Sequence, residues 1–423
     1  FLSGRFLSYG RLSAVASVSI QYGWLALAGI GAIFYVLPRV TGSPMHSEKL
    51  GFLAVALMNL SVILGIAVNL GIGPQGHPFS ELPNGLYVLL LVATLGVALN
   101  VVRTISSRSE PSLYVSAWFF AGAAIWAPLA IIFGRLLPLT GVADSIADVF
   151  GLNAVLNLWF GAVGIGALYY VIPRATGAPL YSHRLAGVGF WTLAFLGPLT
   201  GQARQIFGPG PVWLQTVSIA ASIGLLVTVL TVVVNTFATL RTVWDRVPSH
   251  PSVRFMVGGT VLWAAAMLQG TVQGFRSVAR VGVTDWTAGQ VWFLLMGACT
   301  LWAAGLITYA LPRLMGRSWM HGMTITMHFW LTVFGVCLVA ISAIGAGAMS
   351  AAVFNAGVAN QLPLSYGSGF NVALSTVEKL RAIGTVGAAM FLFGQVIFAL
   401  NLFRASSSGE LRPIEVVQAV EAF

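Results

Sequence analysis

Residues 285–292, DWTAGQVW, have the residue types and spacing expected at the start of a ligand-binding helix. A polar Asp-Trp-Thr segment leads into Gly289, and Gln290 and Trp292 then follow two residues apart at the head of a long apolar run. Asp and Thr suit a helix start, and glycine permits close backbone approach. The framework of a site is present, and the question is whether the site holds a ligand.

The histidines and cysteines offer no alternative set of metal ligands. We expect all six histidines in loops or at helix ends: His46, His77, His183, His250, His321 and His328. A metal centre held between helices by histidines needs those histidines inside facing spans. Cys299 and Cys337 lie in apolar runs and are interpreted as small core residues.

Composition places the chain in a membrane. Hydrophobic residues make up 57% of the sequence and charged residues only 8%, whereas soluble domains carry about 25% charged residues. The net charge of +10 comes from 21 basic residues that form no run or stripe. These charges therefore indicate membrane orientation rather than nucleic-acid binding.

Apolar runs long enough to cross a bilayer predict eleven transmembrane helices. They lie near residues 15–37, 50–72, 84–103, 113–136, 150–172, 184–206, 212–240, 254–279, 288–311, 323–348 and 380–403. The loops that follow odd-numbered helices hold the larger share of Lys and Arg, which predicts a cytoplasmic C-terminus in a bacterial-type inner membrane. The first residue is then outside, so we expect a preceding helix to be missing.

A repeated motif divides the chain into three units. The sequences FYVLPR, YYVIPR and TYALPR follow predicted helices 1, 5 and 9, and their prolines are Pro38, Pro173 and Pro312. We expect each proline to end its helix and the following arginine to anchor it at the interface. The repeats span about 1–112, 113–253 and 254–405, within one domain of residues 1–423, and 406–423 form a cytoplasmic tail.

The motifs resemble subunit I of the haem-copper oxidases, most closely the cbb-type branch, with the nitric-oxide reductases as relatives. The resemblance rests on RFLSYGRL, SRSEPSLYVSAWFF, the YYVIPR segment, TLRTVWDRVPSHPSVRFM and VGVTDWTAGQVW. It implies an all-α fold of about 11 transmembrane helices in three pseudo-symmetric four-helix arcs, with the family's first helix missing. It also implies, in that family, a low-spin haem on two histidines, a high-spin haem on one and copper on three.

The same resemblance assigns each ligand position to a residue that is not histidine. The positions are Ala16, Leu152, Ala203, Arg204, Gln290 and Trp292. The copper-site tyrosine corresponds to Trp263 and a nearby acidic residue to Gln269. We therefore expect no haem or copper in this chain, and an interior refilled by aromatic side chains, because unfilled voids are destabilising.

Arg204 and its polar neighbours have two interpretations. In the first, the guanidinium replaces the charge of the lost metal and holds a polar group, an anion or water. In the second, which we favour because we expect no carboxylate inside a span, Arg204 reaches the outer interface. The candidate polar cavity comprises Gln202, Arg204, Gln269, Gln273 and Gln290.

Arg276, Arg280 and Asp285 form a predicted polar cluster on the outward side. In the family, polar groups on this side hold haem propionates and water. Without haem, these residues are candidates for contact with lipid phosphate or a partner subunit, and a plain interfacial anchor is the alternative.

Three functions are open to such a chain. We favour a cofactor-free, inactive scaffold that anchors other membrane or c-type cytochrome-like redox subunits, which would carry the haem, and that contacts lipid. A proton, ion or small-solute channel through the emptied cavity is the main alternative. An active terminal oxidase with unusual ligands is the third.

Overall fold

The computed structural model describes residues 7–74, 81–316, 322–359 and 368–408, and these residues contain no strand. The all-α prediction is confirmed. The long helices, numbered in chain order, are α1 Tyr9–Thr41, α2 Glu48–Gly71, α3 Asn84–Ser106, α4 Val115–Leu136, α5 Val142–Thr176, α6 His183–Leu196, α7 Val212–Leu240, α8 Pro251–Gly274, α9 Trp286–Met315, α10 Gly322–Ala359 and α11 Ser368–Ser408. The predicted tail lies mostly outside these residues.

Within the described ranges, ten of these helices are long and apolar enough to cross a membrane, and α6 is the exception. The continuous helix predicted over 184–206 is wrong. The α-helix ends at Leu196, and Pro198–Gln205 form a 3₁₀-helix. Pro198 has no N–H to donate, so the chain changes its helical geometry here, and Arg204 lies in a 3₁₀-helix that packs mainly against α5 and α7.

Helices α1, α5 and α9 carry the repeated proline motif, one helix in each repeat, and contact one another along the bundle. Each contains a π-helical stretch at a similar position: Ser19–Ala26, Val155–Gly161 and Trp292–Cys299. The prediction that proline ends each helix is wrong, because Pro38, Pro173 and Pro312 lie inside the last turns. The helices end four residues later, at glycines with left-handed φ of 65°, 72° and 61°: Gly42, Gly177 and Gly316.

In the first and third repeats, the arginine after the proline lies over the last turns of its own helix. Arg313 donates to the Tyr309 carbonyl at 2.6 Å, and its guanidinium lies 3.7 Å from the centroid of the Tyr309 ring. Arg39 makes the same hydrogen bond and ring contact with Tyr35. A cation at a helix C-terminus is favourable because carbonyl dipoles point there.

A second contact occurs once within the first repeat and once, at equivalent positions, within the second. Asn100 of α3 accepts from the Ser47 N–H at 3.0 Å and donates to the Ser47 carbonyl at 2.8 Å. Asn235 of α7 makes the same pair with Ser182, at 3.0 Å in both directions. Ser47 and Ser182 are the N-caps of α2 and α6. Each asparagine amide therefore fixes the start of one helix, α2 or α6, against the next helix in the chain, α3 or α7.

Aromatic rings fill the centre of the bundle. Trp263 and Trp302 are both almost fully buried, with ring centroids 5.9 Å apart. A Cβ built at Gly164 would lie 2.0 Å from the Trp302 ring, so only glycine allows this indole between α5 and α9. Trp292, in contrast, is half-buried and packs on Phe391 of α11, with centroids 5.6 Å apart.

Candidate functional site

A polar cavity of about 40 Å³ lies where α5, the 3₁₀-helix, α7, α8 and α9 meet. Asn153 positions the 3₁₀-helix at its edge by donating to the Gly197 carbonyl at 3.0 Å and to the Thr200 hydroxyl. Gly201 permits the close approach, since a Cβ there would lie 2.7 Å from the Val149 carbonyl. The polar lining residues are Asn153, Asn157, Thr200, Arg204, Ser222, Thr271, Gln273 and Gln290.

Three of the six predicted ligand positions meet at this cavity. Ala203, Arg204 and Gln290 all line it. Leu152 instead lines a separate space of about 10 Å³ beside Arg135. The other two positions lie elsewhere, because Ala16 is exposed and Trp292 packs towards α11. Three residues that are distant in sequence, and to which the resemblance assigns ligand positions, therefore converge on one cavity.

Three of the five residues predicted to line a polar cavity do line it. Arg204, Gln273 and Gln290 line it, but Gln202 and Gln269 do not. Gln202 is buried, and both of its amide atoms lack a hydrogen-bond partner within the described residues. Gln269 donates to the Trp286 carbonyl at 2.8 Å and so fixes the start of α9 against α8.

Gln273 and Gln290 also bind neighbouring helices. Gln273 donates to the Thr287 hydroxyl at 3.1 Å, and Gln290 to the Ala266 carbonyl at 3.2 Å. A Cβ at Gly270 would lie 2.0 Å from the Gln290 amide nitrogen, so glycine makes room for it. Both amides therefore fasten α9 to α8 while forming part of the cavity wall.

Arg204 is the cationic group in the cavity wall. Its side chain is half-buried, and no hydrogen-bond or ion-pair partner for its guanidinium occurs among residues 7–74, 81–316, 322–359 and 368–408. The lining includes no Asp or Glu. A positive charge thus faces neutral amides, hydroxyls and apolar groups.

The predicted outward cluster is not one cluster. Arg276 donates to Thr216 of α7 at 2.9 Å, and Arg280 donates to Asn355 of α10. Asp285 accepts two hydrogen bonds from Arg381 of α11, at 2.8 and 3.0 Å. Each side chain therefore connects the segment between α8 and α9 to a different helix.

Two sequence expectations about buried polar groups are wrong. His328 lies inside α10, fully buried, and its ring stacks on Phe398 with centroids 4.5 Å apart. Asp148 is a buried carboxylate inside α5, where it pairs with Arg135 of α4. The sequence predicts a helix from residue 150, because Gly141 and Asp144 are typical loop residues. In the structure α5 begins eight residues earlier, at Val142, so Asp148 lies inside the helix rather than in a loop.

The side chains at the six assigned ligand positions cannot form the metal centre of the family that the sequence resembles. Methyl, isobutyl, guanidinium, amide and indole groups stand at the six positions, and these groups do not replace imidazole as ligands of iron and copper. His46, His183 and His250 lie at helix starts or turns, and His328 faces phenylalanines; His77 and His321 lie outside the described residues. The described part of the chain also has no group of three His, Cys, Asp or Glu side chains suited to a metal.

Comparison with known proteins agrees with the architecture. The family described as cytochrome c and quinol oxidase polypeptide I matches residues 3–390. The chain is 26% identical over 412 residues to cytochrome c oxidase subunit 1 of Rhodobacter capsulatus, covering 94% of this chain and 77% of that protein. It is 25% identical over 420 residues to the cbb3-type cytochrome c oxidase subunit CcoN1 of Stutzerimonas stutzeri, covering 94% and 86%.

The fold comparison gives the same result. A cryo-EM structure of a heme-copper terminal oxidase dimer matches with a TM-score of 0.75 at 14% identity, covering 97% of this chain and 79% of that chain. Fold and repeats thus define a polytopic helical membrane protein with the architecture of a terminal oxidase subunit. The chain belongs to the haem-copper oxidase subunit I family.

Proposed function

We propose that this chain is a cofactor-free member of its family that serves as a membrane scaffold in an electron-transfer complex. Haem would reside in partner subunits, of which membrane-bound or c-type cytochrome-like proteins are the expected class. The function then lies at the surface of the bundle, where the chain contacts partners and lipid. The partner class rests on the family relationship alone.

The ligand positions are the observation that carries this proposal. Ala203, Arg204 and Gln290 converge on one cavity, yet none of them supplies an imidazole. Arg204 is also a poor substitute, because a guanidinium stays protonated and has no lone pair to donate to a metal. A redox centre at this place would need a different set of side chains.

The packing of the interior gives further support. Trp263 occupies the position that the resemblance assigns to the copper-site tyrosine, and it packs against the buried Trp302. Beside them, a cavity of about 30 Å³ lined by Gly164, Cys299 and Trp302 is apolar and small. Close packing favours a structural role, since voids on the scale of a macrocycle would be strongly destabilising.

The channel alternative draws on one specific observation, which is the positive cavity around Arg204. A conducting pathway needs polar groups or water in continuity across the membrane. The cavities of about 40 and 30 Å³ have no lining residue in common, and Trp302 lines the second. The scaffold therefore accounts for more of the interior than the channel does.

Replacement of ligand-position residues within the native complex tests the scaffold. Leu152→Ile and Trp292→Phe change the groups at two such positions while keeping their apolar character. We expect the complex, isolated in mild detergent, to keep its subunits, its haem content and its electron-transfer rate. Deletion of the chain should remove the partner subunits from the membrane.

Two results would contradict the scaffold proposal. One is a complex that assembles at normal levels without this chain. The other is a conservative variant that assembles fully but loses electron transfer, because that outcome would place the altered residue in the redox machinery. Proton or solute flux through liposomes that contain the chain alone would favour the channel instead.

A further inference from the structure

We infer that the cavity around Arg204 is a binding site for a small monovalent inorganic anion of the halide class. This inference does not depend on the scaffold role, because it concerns the interior of the chain and not its partners. It begins from the charge of Arg204. Arginine remains protonated in proteins, so the cavity wall carries a permanent positive charge.

The neighbouring carboxylates are engaged elsewhere. Asp148 pairs with Arg135, and Asp285 pairs with Arg381. Within the described residues, no Asp or Glu lines the Arg204 cavity. Arg204 is half-buried, a cation partly withdrawn from water is unfavourable without a counter-charge, and no lining residue of this cavity supplies one.

A second polar group is available to the anion. Asn157 lines the cavity from α5 and is 6% exposed. Its side-chain amide makes no hydrogen bond to the protein in the part of the chain that the structure describes. By contrast, the hydroxyls of Ser222 and Thr271 donate to backbone carbonyls. Arg204 and Asn157 thus both present donors to the cavity that make no hydrogen bond within the described residues.

The size of the cavity restricts the ligand. Its volume is about 40 Å³, and one water needs about 10–15 Å³ on the same measure. A bromide or chloride ion, with at most one or two waters, fits this space. A phospholipid headgroup or a nucleotide does not. The single charge of Arg204 and the small volume together select a small monovalent ion rather than a phosphate ester.

Thermal unfolding of the purified chain in mild detergent tests the site, with sodium bromide replacing sodium gluconate at constant ionic strength. The wild type should show a saturable rise in Tm with bromide, as expected for a ligand that binds only the folded state. Arg204→Gln should lose this response or shift it at least about tenfold to higher bromide, because a charged hydrogen bond is removed. The matched control Arg276→Gln, at an exposed arginine bound to Thr216, should retain it.

A second variant keeps the test decisive if Arg204→Gln does not fold. Asn157→Asp places a carboxylate beside the same cavity and so supplies an internal counter-charge. We expect its Tm in gluconate to be higher than that of the wild type and its bromide response to be absent. Bromide-soaked crystals of the wild type should show an anomalous peak next to the Arg204 guanidinium.

Three outcomes would overturn the inference. They are a wild-type Tm without saturable dependence on bromide, a full bromide response in Arg204→Gln, and a full response in Asn157→Asp. Each would show that the charge of Arg204 is compensated without an anion in this cavity.

Discussion

Tyr35 and Tyr170 pack edge to face, with ring centroids 6.3 Å apart and ring planes at 85°, although they belong to different repeats. Tyr309 of the third repeat joins them, 6.0 Å from Tyr170 at 89°. Each tyrosine stands three residues before the proline of its repeat. The three repeated motifs therefore meet at one aromatic cluster, which fastens α1, α5 and α9 together at one end of the bundle.

Removal of the central ring should destabilise the bundle. Tyr170 contacts both other tyrosines, so Tyr170→Ala should cost about 3–5 kcal/mol, as other large-to-small aromatic substitutions do. Tyr170→Phe keeps the ring and should cost far less. Thermal unfolding in detergent measures both, and Tyr181→Ala, at a tyrosine that is 62% exposed, is the control. Equal effects of Ala and Phe at position 170 would contradict the aromatic role.

The buried pair between Arg135 and Asp148 should respond differently to single and double substitution. Both side chains are 11% exposed, so Asp148→Asn leaves a buried charge unpaired and should cost about 3–5 kcal/mol. Arg135→Leu combined with Asp148→Leu removes both charges and should recover much of this loss. A double variant with the summed instability of the two single variants, in equilibrium unfolding, would show that the groups do not act as a pair.

Gly164 should be intolerant of even one added carbon. A Cβ at this position would lie 2.0 Å from the Trp302 ring, and such overpacking typically costs about 1–3 kcal/mol. Gly187→Ala in α6 is the matched control, since nothing lies within 4 Å of its Cβ position. That variant should be neutral or gain up to about 1 kcal/mol from helix propensity. A stable Gly164→Ala protein would mean that Trp302 does not fill the space beside α5.

The exposed ion pair between Asp285 and Arg381 should contribute little to the free energy of unfolding. Its side chains are 34% and 61% exposed, respectively, and exposed pairs typically contribute about 0.2–1 kcal/mol and weaken in salt. A double-mutant cycle with Asp285→Asn and Arg381→Gln, at low and high salt, measures the coupling. A coupling of several kcal/mol that salt does not reduce would contradict this assignment.

Much of the architecture follows from local patterns in the sequence. Apolar length predicts the helices, and the prolines of the repeated motif identify the three units. The residue at which each of these helices ends is harder to predict from the sequence. Pro38 can lie in a last turn because proline costs only one backbone hydrogen bond there, and Gly42 then ends the helix through its left-handed φ of 65°.

The site was harder to predict because its geometry depends on tertiary contacts. Ala203, Arg204 and Gln290 could be chosen as candidates through the family resemblance, and the structure brings them to one cavity. Asn157 gave no signal in the sequence, since an asparagine in an apolar run has many structural roles. Its position in the cavity wall depends on how α5 packs against the 3₁₀-helix.

The optical spectrum of the chain purified alone tests the central claim most directly. A reduced-minus-oxidised difference spectrum, combined with elemental analysis for iron and copper, reports whether a redox centre is present. A cofactor-free scaffold predicts neither a haem signal nor stoichiometric metal, while the intact complex shows haem from its other subunits. A haem signal in stoichiometric amount from this chain alone would contradict the account.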